Sequence, residues 1–157
     1  MANLLLFAVD EAGGFGLNGD LPWGRTVKAD LRRFKSLTMG RIVFAGRKTI
    51  ETLPHLKGRM VGRITCSPTE HMDFGLDEAL AFETKPAVDK YFIGGAQIIH
   101  ALQTKIADVK QAFVSVISGI HDADTHLDLD LWRREGGWRL MYQADTSAGV
   151  TFMDFAR

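Results

Sequence analysis

The chain has 157 residues, enough for one domain with its own core, since chains of ~150 residues bury about 70% of their unfolded surface. A hydrophobic fraction of 46% with 24% charged residues and only 4 Pro excludes a disordered chain, and 19 basic against 19 acidic side chains leave no net charge. That balance removes the long-range attraction that a non-specific nucleic-acid binder or a membrane-surface protein uses, so a small, locally recognised ligand is expected, with no nucleic-acid or membrane partner.

The single Cys66 excludes an internal disulfide and a thiolate-clustered zinc site, and it fits a reducing compartment. Leu4 to Val9 is too short for a signal or membrane segment and lacks a basic flank, so a cytoplasmic protein is expected. Asn3 to Val9, short and almost continuously apolar, reads as a buried strand. Asp10 to Gly24 reads as a loop rich in glycine. Val27 to Thr38 has helical periodicity, Arg41 to Ala45 is a second strand, and Lys48 to Thr52 is a short helix stopped by Pro54. Gly58 to Ser67 contains a third strand, Leu76 to Phe82 a short helix, Ala87 to Ile93 a fourth strand and Ala96 to Ile106 a helix. Ala112 to Ser118 is a strand, Leu127 to Trp132 alternates like a half-buried extended segment, and Trp138 to Gln143 with Val150 to Phe155 form a terminal antiparallel pair.

Alternating strands and helices over the first two thirds predict an α/β fold: one domain over residues 1–157, its mostly parallel twisted sheet flanked by helices and completed by the C-terminal antiparallel pair. In such sheets ligands lie beyond the carboxyl ends of the strands. Three glycine-marked segments fall there.

The first, Gly14-Phe15-Gly16-Leu17-Asn18-Gly19, matches G-x-G-x-x-G, but Pro22 and Gly24 block the helix that a dinucleotide fingerprint requires. What remains is a mobile loop carrying Phe15, Leu17, Leu21 and Trp23, suited to a lid that excludes water. The second, Gly46-Arg47-Lys48-Thr49, runs from a strand into a helix start with two cations and a hydroxyl, a phosphate-binding corner that misses the Walker spacing. At the third, Gly94-Gly95-Ala96-Gln97, side-chain-free residues let a diphosphate approach the backbone. Two such corners in one small domain would suit a dinucleotide with an extra phosphate.

On a helical wheel Val27, Leu31, Phe34, Leu37 and Thr38 share one face, with Lys28, Arg32, Lys35 and Ser36 opposite. Asp30 falls between Phe34 and Leu37, on a face with no basic residue. Desolvating a carboxylate costs several kcal/mol unless it meets donors. A ligand edge with adjacent ring and exocyclic N–H groups would satisfy it; equally, Asp30 reads as a first-turn acid favoured by the helix dipole or serving as a cap. His121-Asp122-Ala123-Asp124-Thr125-His126 contains potential metal ligands but reads as a solvated turn, and no metal is expected.

Taken in order, Gly16-Leu17-Asn18-Gly19-Asp20-Leu21-Pro22-Trp23, Asp30-Leu31 with Phe34-Lys35, Thr38-Met39-Gly40 with Val43 to Thr49, Leu56-Lys57-Gly58-Arg59, Ile93-Gly94-Gly95-Ala96 and Asp124-Thr125 resemble the dihydrofolate reductase family. The resemblance implies NADPH-dependent reduction of 7,8-dihydrofolate to tetrahydrofolate, with hydride transfer to pterin C6 and protonation at N5. It also implies antifolate binding and a monomer. On matched positions Asp30 would bind pterin N3 and the 2-amino group, with Trp23 ordering water and Ser115 bridging to Asp30. Leu4, Leu5, Leu31, Phe34, Leu53, Leu56 and Ile93 would line the substrate site, and Arg59 would take the glutamate α-carboxylate. For the cofactor, the resemblance implies Leu6, Phe15, Gly16, Asn18 and Leu21 at the nicotinamide. It implies Gly46, Arg47, Lys48, Thr49, Cys66 and Ser67 at the phosphates and adenosine, and Ile93, Gly94, Gly95, Ala96, Gln97 and Ile98 around the diphosphate.

The chain departs from the common pattern in three places. Gln97 stands where many members carry a basic residue near the 2′-phosphate. Leu5 and Leu6 are bulkier than usual. The link Trp23-Gly24-Arg25-Thr26-Val27 is longer than in many bacterial relatives. Two rivals remain: a reductase of another pteridine-like substrate, and a non-catalytic nucleotide- or pterin-binding module.

Overall fold

The computed structural model describes residues 1–104 and 108–157. It contains ten strands and five helices among the described residues: β1 (Asn3–Asp10), β2 (Gly14–Gly16), α1 (Lys28–Thr38), β3 (Ile42–Gly46), α2 (Arg47–Thr52), β4 (Met60–Ile64), β5 (Asp73–Phe74), α3 (Leu76–Ala81), β6 (Lys90–Gly94), α4 (Ala96–Thr104), β7 (Gln111–Ile117), β8 (Thr125–His126), α5 (Leu129–Gly136), β9 (Arg139–Asp145) and β10 (Val150–Ala156). Eight strands form one sheet in the order β5-β4-β3-β6-β1-β7-β10-β9. The pairs from β5 to β7 are parallel, and β10 runs antiparallel to both β7 and β9. The α/β class, the mostly parallel sheet and the terminal antiparallel pair are as the sequence predicts.

The near-continuous apolar run of β1 follows from its central place, because a strand covered on both faces has no solvent side to make polar. Leu5, Phe7 and Val9 face a core with Phe44, Phe92, Ile99, Leu102 and Trp132, covered by α3, α4 and α5. Leu4 and Leu6 face Val43, Tyr91 and Ile93, covered by Phe34 and Leu37 of α1 and Ile50 of α2. Phe44 is fully buried, stacks on Phe92 at 5.3 Å and meets the edges of Phe74 and Phe82; burying one such ring contributes about 1.5–3 kcal/mol.

Three readings change. Leu127 to Trp132 is not an extended segment: Asp128 caps α5, its carboxylate accepting from the backbone N–H groups of Asp130 (2.9 Å) and Leu131 (3.1 Å). The cap, Arg133 and Arg134 in the last turn, and Gly137 at φ 68° were the helix signals that the alternation obscured. Asp10 to Gly24 is not wholly loop, since β2 pairs with β8. The strand expected over Ala87 to Ile93 begins only at Lys90. The predicted end of the fourth long helix, at Ile106, lies outside the described residues. No helix among the described residues is long and apolar enough to cross a membrane.

Candidate active site

A cleft of about 1330 Å³ opens across the carboxyl ends of β3 and β6, between α1, α2 and the 14–25 loop. Single-ligand pockets hold about 300–1,000 Å³, so this one has room for two molecules side by side. Adjacent parallel strands end there in Gly46 and Gly94-Gly95, and each runs directly into a helix, α2 and α4. Both helix starts therefore present unpaired backbone N–H groups and positive dipole ends to one end of the cleft. Gly94 has φ 148°, and a Cβ there would lie 3.3 Å from the Phe15 ring, so only glycine keeps this corner open.

Arg47 is exposed, with its nearest carboxylate, Glu51, 4.0 Å away, and lines the same end with Lys48, Thr49 and Gln97. Arg63 on β4, by contrast, is already committed: it grips Asp73 with Nε at 2.8 Å and Nη2 at 2.9 Å. The glycine cradle, two helix starts and uncommitted Arg47 fit a dinucleotide phosphate chain.

Asp30 lies at the opposite side, lining the cleft from the first turn of α1 beside Leu31 and Phe34. It is the acid in the first turn of α1, where the helix dipole favours it, and it faces the cleft as well, so the two readings are compatible. Burial pushes its carboxyl above the ordinary value of 3.8, while a hydrogen bond from the Ser115 hydroxyl and the Arg33 charge pull it down; the net direction is upward. The expectation that α1 brings no cation to this side fails at Arg33. Its guanidinium turns onto the sheet, stacking 4.4 Å above Phe152 and bonding Asp154 at 2.6 Å. The long apolar stem of arginine makes that burial possible.

At the far end of the substrate side Arg59 donates to the Thr38 hydroxyl at 3.3 Å, and its buried Nε has no partner among the described residues. A planar anion would satisfy it. Lys35 and His55 line the same end of the cleft.

The other predicted residues divide cleanly. Leu6, Phe15, Gly16, Leu21, Leu53, Leu56, Cys66, Ile93, Gly95, Ala96 and Ile98 line the cleft with those already named. Leu4, Leu5, Asn18, Trp23, Ser67, Gly94 and Ser115 do not themselves line it. Leu5 points into the opposite core, because successive residues of β1 face opposite sides of the sheet. Ser115 reaches the site through Asp30. Trp23 is buried, with His121 edge-on to its ring at 5.6 Å.

Sequence reasoning missed how the 14–25 loop is held. The Asp10 carboxylate, 2% exposed as a residue, accepts from the backbone N–H groups of Ala12 (2.9 Å), Gly14 (2.8 Å) and His121 (2.8 Å). Burial works to raise this carboxyl, but those bonds, with a further one from the His121 side chain, outweigh it and leave it lowered. A Cβ on Gly14 would lie 2.6 Å from the Asp10 carboxylate, which explains that glycine. Asp124 accepts from the Asn18 N–H at 2.9 Å and donates its own N–H to Gly16 O at 2.9 Å, so the His121 to His126 segment is a clamp rather than a free turn. No metal-type cluster occurs among the described residues. Across the cleft, Thr52 donates its hydroxyl to Gly19 O at 2.8 Å and Arg25 bonds Thr52 O at 3.1 Å, so the longer link supplies a latch. The Asp124-Thr125 pair at the start of β8 was the available signal for the clamp; nothing local marked Asp10 or Arg25.

A small α/β protein with a two-ligand cleft, a phosphate cradle at one end and a half-buried carboxylate facing the other is the class that the geometry defines: a nucleotide-cofactor enzyme acting on a flat, nitrogen-bearing substrate. The sequence profile of dihydrofolate reductase matches residues 3–157, and the chain belongs to the dihydrofolate reductase family. It is 34% identical over 137 residues to dihydrofolate reductase type 8 of Escherichia coli, covering 79% of each chain. It is 30% identical over 159 residues to type 9 of the same species, covering 93% of this chain and 86% of the relative. Dihydrofolate reductase from Enterococcus faecalis, solved in complex with NADP(H) and RAB-propyl, shares the fold at a TM-score of 0.81 and 21% identity, covering 99% of this chain and 96% of that one.

Proposed function

We infer that Asp30 grips the pterin ring of 7,8-dihydrofolate in the family's reaction. The protein is a dihydrofolate reductase, an NADP-dependent oxidoreductase that reduces 7,8-dihydrofolate to tetrahydrofolate. The observation that carries the role of Asp30 is a cleft-lining carboxylate, raised by burial, to which the fold supplies one hydroxyl donor and a nearby cation rather than a full set of N–H groups.

An ionised Asp30 offers two acceptor oxygens to adjacent N–H groups on a pterin edge, a bidentate, charge-assisted contact. Its raised affinity for a proton suits the second task, promoting protonation at N5 near neutral pH through ordered water. Leu31, Phe34, Leu53 and Leu56 exclude bulk water from the ring, and Arg59 takes the glutamate carboxylate. The Gly46 and Gly94-Gly95 corners, with Arg47, Lys48 and Thr49, would hold the cofactor phosphates, and Phe15 with Leu6 and Ile93 would flank its reactive ring. NADPH, when bound, supplies the hydride. The chain's own contribution is alignment, and orientation of two bound reactants is worth about 7–11 kcal/mol of barrier.

A cytoplasmic monomer that binds aminopyrimidine antifolates in the same cleft completes the proposal. Purified protein should consume NADPH only when dihydrofolate is present; binding of both ligands without turnover would leave the non-catalytic module instead. Arg59→Met should raise KM for dihydrofolate about 10–100-fold, the range for a lost charge-assisted pair, and leave a tail-less pterin unaffected. Equal losses on both substrates would remove Arg59 from the tail site.

A further inference from the structure

Beyond the contact of Asp30 with substrate, one face of the sheet carries a charge pair that no ligand contact explains. In the β7–β10 register Ser115 lies opposite Phe152 and Phe113 opposite Asp154. Residues two apart on a strand share a face, so Ser115, Phe113, Phe152 and Asp154 form one patch beneath α1. Asp30 and Arg33 are one helical turn apart and meet that patch at successive steps: Asp30 takes the Ser115 hydroxyl, while Arg33 takes Asp154 at 2.6 Å between Phe152 (4.4 Å) and Phe113 (5.7 Å). Neither member is a surface ion, since their side chains are 17% and 22% exposed. One guanidinium nitrogen of Arg33, Nη1, is buried without a partner among the described residues. Burying an incompletely paired cation is unfavourable, so a pair chosen for stability alone would be better replaced by apolar packing.

We propose that Arg33 and Asp154 are positioning residues acting through Asp30, an ion pair that meters how much positive charge reaches the substrate-facing carboxylate. The proposal rests on the reading of Asp30 given above. β1 turns only Leu6 and Ala8 to the cleft and the residue after α2 is Leu53; the other cations on the substrate side are Arg25, engaged by Thr52 and, at 3.7 Å, Asp20, Arg59, engaged by Thr38, and Lys35, one turn further along α1 than Asp30. Behind Asp154, β9 contributes Tyr142 in register, which is exposed. Arg33 is thus the cation acting on Asp30, and Asp154 sets how far its charge is neutralised.

The two partners have opposite predicted signs, which a merely structural role does not give. Removing the cation in Arg33→Met lets burial dominate, so Asp30 should titrate higher, by about 1 pH unit. Removing the counter-charge in Asp154→Asn leaves Arg33 uncompensated, so Asp30 should titrate lower, by a few tenths of a unit or more. Arg33→Lys, which keeps the charge, should stay near wild type, and the double variant should fall between the singles.

The readouts are the pH dependence of kcat/KM for dihydrofolate and, without substrate, the carboxyl resonance of Asp30 in protein labelled with 13C-aspartate, assigned by its disappearance in Asp30→Asn. Opposite shifts in both readouts are the expected result. If Arg33→Met does not fold, Asp154→Asn and Arg33→Lys decide the matter alone. Shifts of the same sign, or none, with an Asp30 resonance that still follows the activity profile, would overturn the charge-metering role and leave the Asp30 reading standing. A pH profile unchanged in Asp30→Asn would overturn both.

Discussion

Asp10 is buried at the base of the 14–25 loop and Asp30 is half-buried in the wall of the cleft, and the fold treats the two carboxylates in opposite ways. Asp10, at the end of β1, receives three backbone N–H groups within 2.9 Å and is held ionised below its ordinary range. Asp30, on α1, receives one hydroxyl, feels Arg33 at a distance and is raised by burial. A carboxylate saturated by backbone donors is a fastener, since no ligand can add to it. One left partly unsatisfied beside a cavity is a binding group, because its desolvation is relieved only when a ligand arrives.

That contrast can be broken most sharply by neutralising each group in turn. Asp30→Asn should lower turnover near neutral pH by about 10²–10⁴-fold, the range for a proton-handling group, while NADPH affinity measured by fluorescence titration stays close to wild type. Unchanged turnover would strip Asp30 of its role. Asp10→Asn should instead reduce unfolding stability by about 2–4 kcal/mol in urea melts, because its amide places an NH₂ against backbone donors in a buried site. A fully stable variant would show that the 10–14 turn is held by something else.

The pH dependence of stability refines the same comparison through its sign. For Asp10, with its folded value depressed, stability is present above the ordinary 3.8 and is lost as pH falls below that value toward the folded one. For Asp30, with its folded value raised, stability is instead lost as pH rises from 3.8 through the folded value. Asp30→Asn should therefore be more stable than wild type at neutral pH in urea melts, with the gain vanishing in acid. A destabilised Asp30→Asn would mean that the carboxylate is a structural element like Asp10. The smallest effect is expected from His121→Val. Its backbone N–H still serves Asp10, so the losses are the edge contact with Trp23 and the side-chain contact with Asp10 at 3.4 Å, together about 1 kcal/mol, reported by a change in tryptophan fluorescence.

The strands and helices that carry the cleft were legible because their signals are local. Continuous apolar runs marked β1, β3 and β6, and a glycine at each of two strand ends marked the phosphate corners. Asp30 stood out because a charge interrupts an apolar stripe. α5 was misread where two periodicities overlap in Leu127 to Trp132, with the cap at Asp128 as the better guide. Arg33 escaped notice because it stands at the edge of the apolar stripe, beside Leu37 on the wheel, from where its long apolar stem reaches Phe152 and Asp154. Leu5 was placed at the substrate by likeness to the family, but strand alternation turns it into the other core.

The order of residues alone determined which segments become strands, where they end in glycine, and that one acid sits among apolar neighbours, since each depends on interactions within a few residues. Only the tertiary structure decided that Asp10 is saturated while Asp30 is not. Ser115, Asp154 and His121 lie 85, 124 and 111 positions from their partners Asp30, Asp30 by way of Arg33, and Asp10. Partners that distant are brought together by strand order and register, and no local pattern in the chain encodes which of two acids they will serve.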